Sequence, residues 1–206
     1  MKILKKLKKK GVKNISKFAK GHRSVVYKGE YKGKEVAIKI EGNIKGKIKN
    51  EIKWLKILNK YNIGPNLIFY NKEYIVYEFI NGLLLIDFLK KNGKNKVIVV
   101  LKKIFSELKI LDELKVDKKE LHHPFKHIFI SNTKIKMIDF ERCKNSKKPK
   151  NVSQFCQFLM SKKVNELLKE KGFKVNNKNV IMCLKIYKKD YSEKSFKKIL
   201  ENLKLN

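Results

Sequence analysis

The chain has 206 residues, and its 52 lysine and arginine residues against 19 aspartate and glutamate residues give a formal net charge of +33 at pH 7. An apolar content of 42% is enough for a buried core, which argues against a disordered chain. The longest apolar runs, at 83–86 and 97–101, fall far short of the roughly 20 residues that a bilayer-spanning helix needs.

The cysteines and the N-terminus bear on location. The three cysteines are odd in number and lack C-x-x-C spacing, so a disulfide framework and a zinc site are both disfavoured. The first ten residues are basic but lack the apolar core of a signal peptide. We therefore expect a cytoplasmic protein with no transmembrane segment.

The positive charge predicts attraction to polyanions such as RNA or acidic proteins. Only two of the cations, Arg23 and Arg142, are arginines. Because lysine binds phosphate as a point charge, whereas arginine supplies the bidentate contacts that read bases, contact with RNA or another polyanion is expected to be nonspecific. A composition set by genome bias or by a hot habitat would give the same charge without such a partner.

The first half of the chain alternates strand-like runs with one helix. Apolar residues at helical spacing predict a helix at 47–60, and Gly33 between the first two β-branched runs predicts a hairpin. The predicted strands are 24–28, 35–40, 67–70 and 74–79. The first ten residues are expected to be a solvated tail, with an amphipathic helix that docks on acidic membrane or RNA as the alternative.

Helical periodicity dominates after Asn81 and Gly82. The predicted elements of this half are helices at 97–114, 152–170, 178–189 and 193–204, with hairpin strands at 128–130 and 135–138. The chain is therefore expected to be of the α+β class, with a basic segment at 1–17, a sheet-rich lobe at 18–80 and a mostly helical lobe at 81–206.

Residues that could carry chemistry follow one another in a set order along these elements. The string Val-Ala-Ile-Lys ends at Lys39 on the second predicted strand. Gly21 is the one glycine in the turn that precedes the first predicted strand. Glu51 lies on the predicted helix. The string Asp-Phe-Glu at 139–141 ends the later hairpin.

This order resembles that of protein kinases, especially the small atypical kinases of the RIO type and the archaeal predicted Ser/Thr kinases. The resemblance covers 18–160 and implies a two-lobed minimal protein-kinase-like fold. Its N-lobe would be an antiparallel sheet with one helix, and its C-lobe would be truncated and mostly helical. An A-P-E motif and a large substrate-binding section are absent.

The resemblance also implies roles in binding ATP and Mg²⁺. Lys39 would grip the α- and β-phosphates, Glu51 would orient Lys39, and Asp139 would hold the metal. Lys39 and Asp139 would face each other from opposite lobes across a nucleotide-sized gap. The implied nucleotide contacts, which include a hinge at 77–82, are Ala19, Lys20, Gly21, His22, Arg23, Ser24, Val26, Ala37, Lys39, Glu51, Glu78 and Ile80.

The expected catalytic loop departs furthest from the kinase pattern. If the Glu-Leu of this loop is aligned with the usual Asp-Leu, Glu120 becomes the catalytic carboxylate. If the loop is aligned by its distance from the following strand, His122 takes the position of the catalytic aspartate instead. We favour Glu120, because phosphoryl transfer needs an anion to orient the attacking hydroxyl and accept its proton. His127 or Lys126 would replace the usual asparagine, with His127 as a metal ligand. Asp117 is interpreted as a solvated loop residue.

The expected function is that of an ATP-dependent phosphotransferase, a Ser/Thr protein kinase of atypical minimal type. Its acceptor would be a protein or small-molecule hydroxyl. Glutamate is one methylene longer than aspartate, so catalysis is expected to be slow. The alternative is a catalytically weak or inactive nucleotide-binding pseudokinase that acts as a basic RNA- or ribosome-associated scaffold.

Overall fold

The computed structural model describes residues 2–21, 24–42 and 46–205. The α+β class predicted from the sequence is confirmed. The chain divides into two compact units, Met1–Asn81 with Lys136–Arg142 and Gly82–Ile135 with Cys143–Asn206. The segment that contains Asp139 therefore belongs to the first unit, although the sequence analysis assigned it to the second lobe.

The first unit is built on a five-stranded antiparallel sheet. Its strand order is β1-β2-β3-β5-β4, so β3 is central. Its elements are α1 (Lys2–Lys9), β1 (Lys13–Lys20), β2 (Ser24–Tyr31), β3 (Lys34–Glu41), α2 (Lys47–Leu58), a 3₁₀ turn (Asn59–Tyr61), β4 (Leu67–Tyr70) and β5 (Tyr74–Glu78).

One face of this sheet carries an apolar core that includes the N-terminal helix. Leu7 of α1 is fully buried against side chains of the sheet. The members of this core are Leu7, Val12, Val36, Ile38, Tyr74 and Val76. The expectation of a solvated tail is therefore wrong, because a single apolar stripe on a lysine-rich helix is enough to hold α1 on the sheet.

The alternation of β3 assigns its remaining residues to the other face. Val36 and Ile38 belong to the apolar core, so Ala37 and Lys39 point the opposite way. Helix α2 contacts β3, β4 and β5, and it buries one acidic side chain, Glu51, among its apolar residues. The sheet thus brings Lys39 to the face that α2 occupies.

A glycine after α2 makes room for the segment around Asp139. Gly64 has a φ of +80°, and a Cβ placed on it would lie 2.8 Å from Leu55 Cδ2 and 2.9 Å from Phe140 Cε2. Phe140 is fully buried at this point. The absence of a side chain at Gly64 therefore leaves the space that the Phe140 ring occupies.

The second unit is mostly helical. Its strands form a β6-β8-β9 sheet and a β10-β7 pair. Its elements are β6 (Leu83–Leu84), α3 (Leu85–Lys91), α4 (Lys94–Glu113), β7 (Val116–Asp117), β8 (Ile128–Ser131), β9 (Lys134–Met137), β10 (Lys144–Asn145), α5 (Asn151–Met160), α6 (Lys162–Glu170), α7 (Asn177–Asp190) and α8 (Glu193–Asn202). The chain passes from the second unit to the first within β9.

The single helix predicted at 152–170 is two helices. Ser161 has an extended backbone (φ −61°, ψ 145°) between α5 and α6, and its hydroxyl donates to the Phe158 carbonyl at 2.7 Å. Among the described residues, no helix has both the length and the apolar composition needed to cross a bilayer. Cys143, Cys156 and Cys183, all of them described, form no disulfide with one another.

A buried polar network joins α4, β7 and α5. The Asn151 side chain donates from Nδ2 to Asp112 Oδ1 at 2.8 Å and to the Val116 carbonyl at 2.6 Å. Its Oδ1 accepts from the Lys118 amide at 2.9 Å. Burial raises the pKa of Asp112, while hydrogen bonds, chiefly from Asn151, oppose that shift. The network fixes the start of the loop that follows β7.

Candidate active site

Lys39 lies at the centre of the first unit. It pairs with Val26 on β2 and with Ile75 on β5, so backbone hydrogen bonds hold both sides of its strand. Its side chain is only 8% exposed. A buried ammonium needs anionic partners, because burial without them disfavours its charged form.

Three carboxylates surround the Lys39 ammonium. The Nζ atom is 2.7 Å from Glu51 Oε2, 3.1 Å from Glu141 Oε2 and 3.2 Å from Asp139 Oδ1. The Glu51 and Glu141 side chains are 1% and 6% exposed, whereas that of Asp139 is 32% exposed. Asp139 is therefore the carboxylate of the three with most access to solvent.

The charges around Lys39 decide its protonation state. Burial alone would lower the pKa of Lys39, but attraction to Glu51, and then to Asp139, raises it well above its usual value. Burial, followed by the nearby Glu51 carboxylate, also raises the pKa of Tyr77. Lys39 is thus a permanent cation at neutral pH.

Glu51 links two parts of the site. One of its oxygens, Oε2, accepts from Lys39, and the other, Oε1, accepts from the Phe140 backbone amide at 3.3 Å. Asp139 precedes that amide and has a φ of +65°, a left-handed conformation that aspartate tolerates better than most residues. Glu51 therefore positions both the lysine and the turn that presents Asp139.

Glu141 is the site residue that sequence reasoning missed. It ends the Asp-Phe-Glu string at 139–141, and no role was predicted for it from the sequence. Its carboxylate contacts Lys39, and its backbone carbonyl accepts from Asn50 Nδ2 at 2.9 Å. The only signal in the sequence was the acidic residue itself, directly after the Asp-Phe pair.

The three carboxylates can also provide metal ligands. One oxygen from each of Glu51, Asp139 and Glu141 lies within 4.8 Å of the others. Carboxylate oxygens are the ligands that Mg²⁺ prefers, usually one or two from the protein together with water or phosphate. Asp139, which is half-buried, fits that role better than Glu51, whose two oxygens already accept hydrogen bonds.

The described nucleotide contacts predicted around Gly21 lie at the end of β1 and at the start of β2. The Gly21 amide donates to the Ser24 carbonyl at 2.9 Å, and Ala19 pairs with Val26. Ala19, Lys20 and Gly21 are exposed, whereas Ser24 and Val26 are half-buried. His22 and Arg23, which were predicted to contact the nucleotide, lie outside the described residues.

Other predicted nucleotide contacts lie on β3 and after β5. Ala37 is two residues from Lys39, and Val26 lies directly opposite Lys39, so all three share one face of the sheet. Glu78 ends β5, and its side chain pairs with Lys136 at 2.6 Å. Glu78 and Ile80 are both half-buried.

The expected catalytic loop lies in the second unit. Glu120 is half-buried, has a φ of +59°, and its carbonyl accepts from the His123 amide at 3.0 Å. His127 is half-buried and His122 is exposed. The structure therefore brings Lys39, Glu51 and Asp139 together in the first unit, and Glu120 and His127 belong to the second.

Two expectations about carboxylates need correction. Asp117 is 3% exposed rather than solvated, and it pairs with Lys119 at 3.0 Å and accepts from Gln154 Nε2 at 3.2 Å. Lys39 and Asp139 are in direct contact within one compact unit, so no nucleotide-sized gap separates them. Direct contact is favourable because it neutralises a buried ammonium.

No family model matches the chain, and a search of curated proteins found no match.

Proposed function

We propose that the chain is an ATP-dependent phosphotransferase with a two-lobed, minimal protein-kinase-like fold, and that it is a Ser/Thr kinase of atypical type. The observation that carries the proposal is the 2.7 Å ion pair between Lys39 and Glu51, two buried groups from a strand and a helix, with Asp139 3.2 Å from the same ammonium. A buried cation beside a more exposed carboxylate is the combination that binding of a nucleotide phosphate with its metal requires.

Lys39, Glu51 and Asp139 each have a distinct part in the proposed reaction. Lys39 donates to the α- and β-phosphate oxygens of ATP, and Glu51 keeps Lys39 charged and oriented. Asp139 supplies a metal ligand, and Mg²⁺ would neutralise charge on the phosphates. The bond between the γ-phosphorus and its bridging oxygen breaks, the acceptor hydroxyl oxygen bonds to the phosphorus, and ADP leaves.

The hydroxyl proton needs an acceptor, for which Glu120 is our first candidate and His122 the second. A carboxylate that orients the hydroxyl and takes its proton late in the reaction suits this chemistry. Comparing Glu120→Gln with His122→Ala separates the two, because the variant that lacks the acceptor is expected to lose transfer while nucleotide affinity is unchanged. His127 remains a proposed metal ligand, although neutral imidazole is a poor ligand for Mg²⁺.

The proposal is tested by incubating the protein with γ-labelled ATP, Mg²⁺ and a generic Ser/Thr acceptor protein, then measuring label transfer and autophosphorylation. We expect Lys39→Met and Asp139→Asn each to reduce transfer by on the order of 100-fold or more. Lys6→Met and Asp87→Asn are matched controls, because they make the same two substitutions at residues outside the cluster; Lys6 pairs with Glu73 in the first unit. Full activity in Lys39→Met or Asp139→Asn would reject the assignment.

A second candidate function is a nucleotide-binding pseudokinase that acts as a basic scaffold for RNA or ribosomal particles. The specific observation in its favour is that three carboxylates already contact Lys39. Salt-dependent RNA binding without any phosphate transfer would favour this function over the first. A cytoplasmic location stays a prediction under either function.

A further inference from the structure

Glu141 occupies a position on Lys39 that a bound phosphate would need. Its side chain is 6% exposed, and its Oε2 atom is 3.1 Å from Nζ. The Asn50 side chain donates to the Glu141 carbonyl at 2.9 Å, which fixes the backbone that carries this carboxylate. Nothing in the proposed reaction uses Glu141.

Three carboxylates already contact the Lys39 ammonium in this arrangement. An ammonium group has three N–H donors and no acceptor. Its three carboxylate neighbours, Glu51, Asp139 and Glu141, each lie within 3.2 Å. Lys39 Nζ donates hydrogen bonds to Glu51 and Asp139 and forms an ion pair with Glu141, so a phosphate oxygen that binds Lys39 competes with these carboxylates.

Glu141 is the neighbour most suited to be replaced. Glu51 is the carboxylate nearest to Nζ, at 2.7 Å, and in the proposed reaction it orients Lys39. Asp139 is the proposed metal ligand. In addition, the described cluster sets three carboxylates against one ammonium, so an incoming polyphosphate meets an excess of negative charge.

We propose that Glu141 competes with nucleotide phosphate for Lys39 and weakens nucleotide binding most strongly when no divalent cation is present. This inference rests on the proposed function and adds a condition to it. A nucleotide that arrives with Mg²⁺ brings compensating positive charge, whereas a metal-free nucleotide meets the Glu141 carboxylate directly. Glu141 thereby makes the site selective for metal-bound over metal-free nucleotide.

The test measures the affinity for ADP by titration calorimetry, once in EDTA and once with saturating Mg²⁺, at matched ionic strength. Glu141→Gln removes the charge and keeps the shape. The Glu141→Gln variant is expected to bind metal-free ADP on the order of tenfold more tightly than the wild type, because one negative charge near the phosphates has been removed. With saturating Mg²⁺, the difference in ADP affinity between Glu141→Gln and the wild type is expected to be smaller.

Three further variants separate charge from structure. Glu141→Asp keeps the charge and should stay close to the wild type, and Glu141→Ala should share the gain of Glu141→Gln. Glu73→Gln makes the same change of net charge in the same unit, at a side chain that pairs with Lys6, and should have no effect. Emission from Trp54, the one tryptophan of the chain, verifies that each variant folds.

The outcomes distinguish failure of this inference from failure of the proposed function. If the wild type binds ADP with Mg²⁺ but Glu141→Gln and Glu141→Ala bind metal-free ADP no more tightly than the wild type, the competition is refuted and the proposed function stands. If neither the wild type nor Glu141→Gln binds ADP even with Mg²⁺, nucleotide binding fails and the inference is overturned with it.

Discussion

Replacing Lys39 by methionine removes the positive charge from the cluster and keeps an apolar side chain of similar length. The substitution leaves Glu51, Asp139 and Glu141 facing one another without their shared cation. Two of these carboxylates are almost fully buried, so water cannot replace the ammonium at either. The third, Asp139, is 32% exposed and can be hydrated in part.

The burial of these carboxylates determines how much the free energy of unfolding falls in Lys39→Met. Breaking a buried ion pair by removing one partner costs about 3–5 kcal/mol, because the remaining charge is left uncompensated. Hydration of Asp139 argues for the lower end, so we expect the free energy of unfolding at pH 7 to fall by about 3 kcal/mol.

The assay is urea unfolding followed by Trp54, which is 2% exposed on α2 and reports directly on the helix that carries Glu51. Lys136→Met is the matched control, since Lys136 pairs with Glu78 at a partly exposed position in the same unit. The control is expected to lose at most about 1 kcal/mol. A loss in Lys39→Met no larger than that of the control would refute the reasoning.

Three other predictions concern stability. Gly64→Ala is expected to lose about 2–4 kcal/mol, because its φ of +80° is unfavourable for alanine and its Cβ would lie 2.9 Å from Phe140 Cε2; a loss below 1 kcal/mol in urea unfolding would contradict this. Asn151→Ala is expected to lose about 2–4 kcal/mol by the same assay, since it strands three buried hydrogen-bond partners, and near-neutral behaviour would show that water replaces the amide. The pKa of Lys39 is raised in the folded state, because attraction to Glu51 and the other carboxylates outweighs burial. The charged lysine therefore stabilises the fold fully below its pKa in the unfolded chain, and this stabilisation is lost as the pH rises towards and through its pKa in the folded chain. Above about pH 10.5, the difference in unfolding free energy between the wild type and Lys39→Met should therefore narrow by up to about 1.4 kcal/mol per pH unit. A difference that stays constant up to about pH 12, roughly the practical limit of the measurement, would contradict this.

The elements around Lys39 could be predicted because their patterns are local. β3 is an alternating, β-branched run beside a glycine turn, and α2 repeats apolar residues at helical spacing. The position of Glu51 within α2 follows from that spacing. The strand β1 was missed because most of its side chains are exposed, so its sequence lacks an alternating apolar pattern.

Other features depend on contacts that sequence patterns do not encode. The N-terminal helix is held by Leu7, and its burial depends on a sheet formed by residues far along the chain. Ser161 interrupts an apolar pattern that continues from α5 into α6, so the break leaves no periodicity signal. The contact between Glu141 and Lys39 joins residues about a hundred positions apart, and no local pattern predicts such an ion pair.

The direct test of the central claim is a crystal structure of the protein with a non-hydrolysable ATP analogue and Mg²⁺. The proposed function predicts a phosphate oxygen within about 3 Å of Lys39 Nζ and a metal ion bound to Asp139. Glu51 should keep its contact with the lysine. An analogue bound away from both Lys39 and Asp139, with Lys39 still in contact with all three carboxylates, would contradict the account.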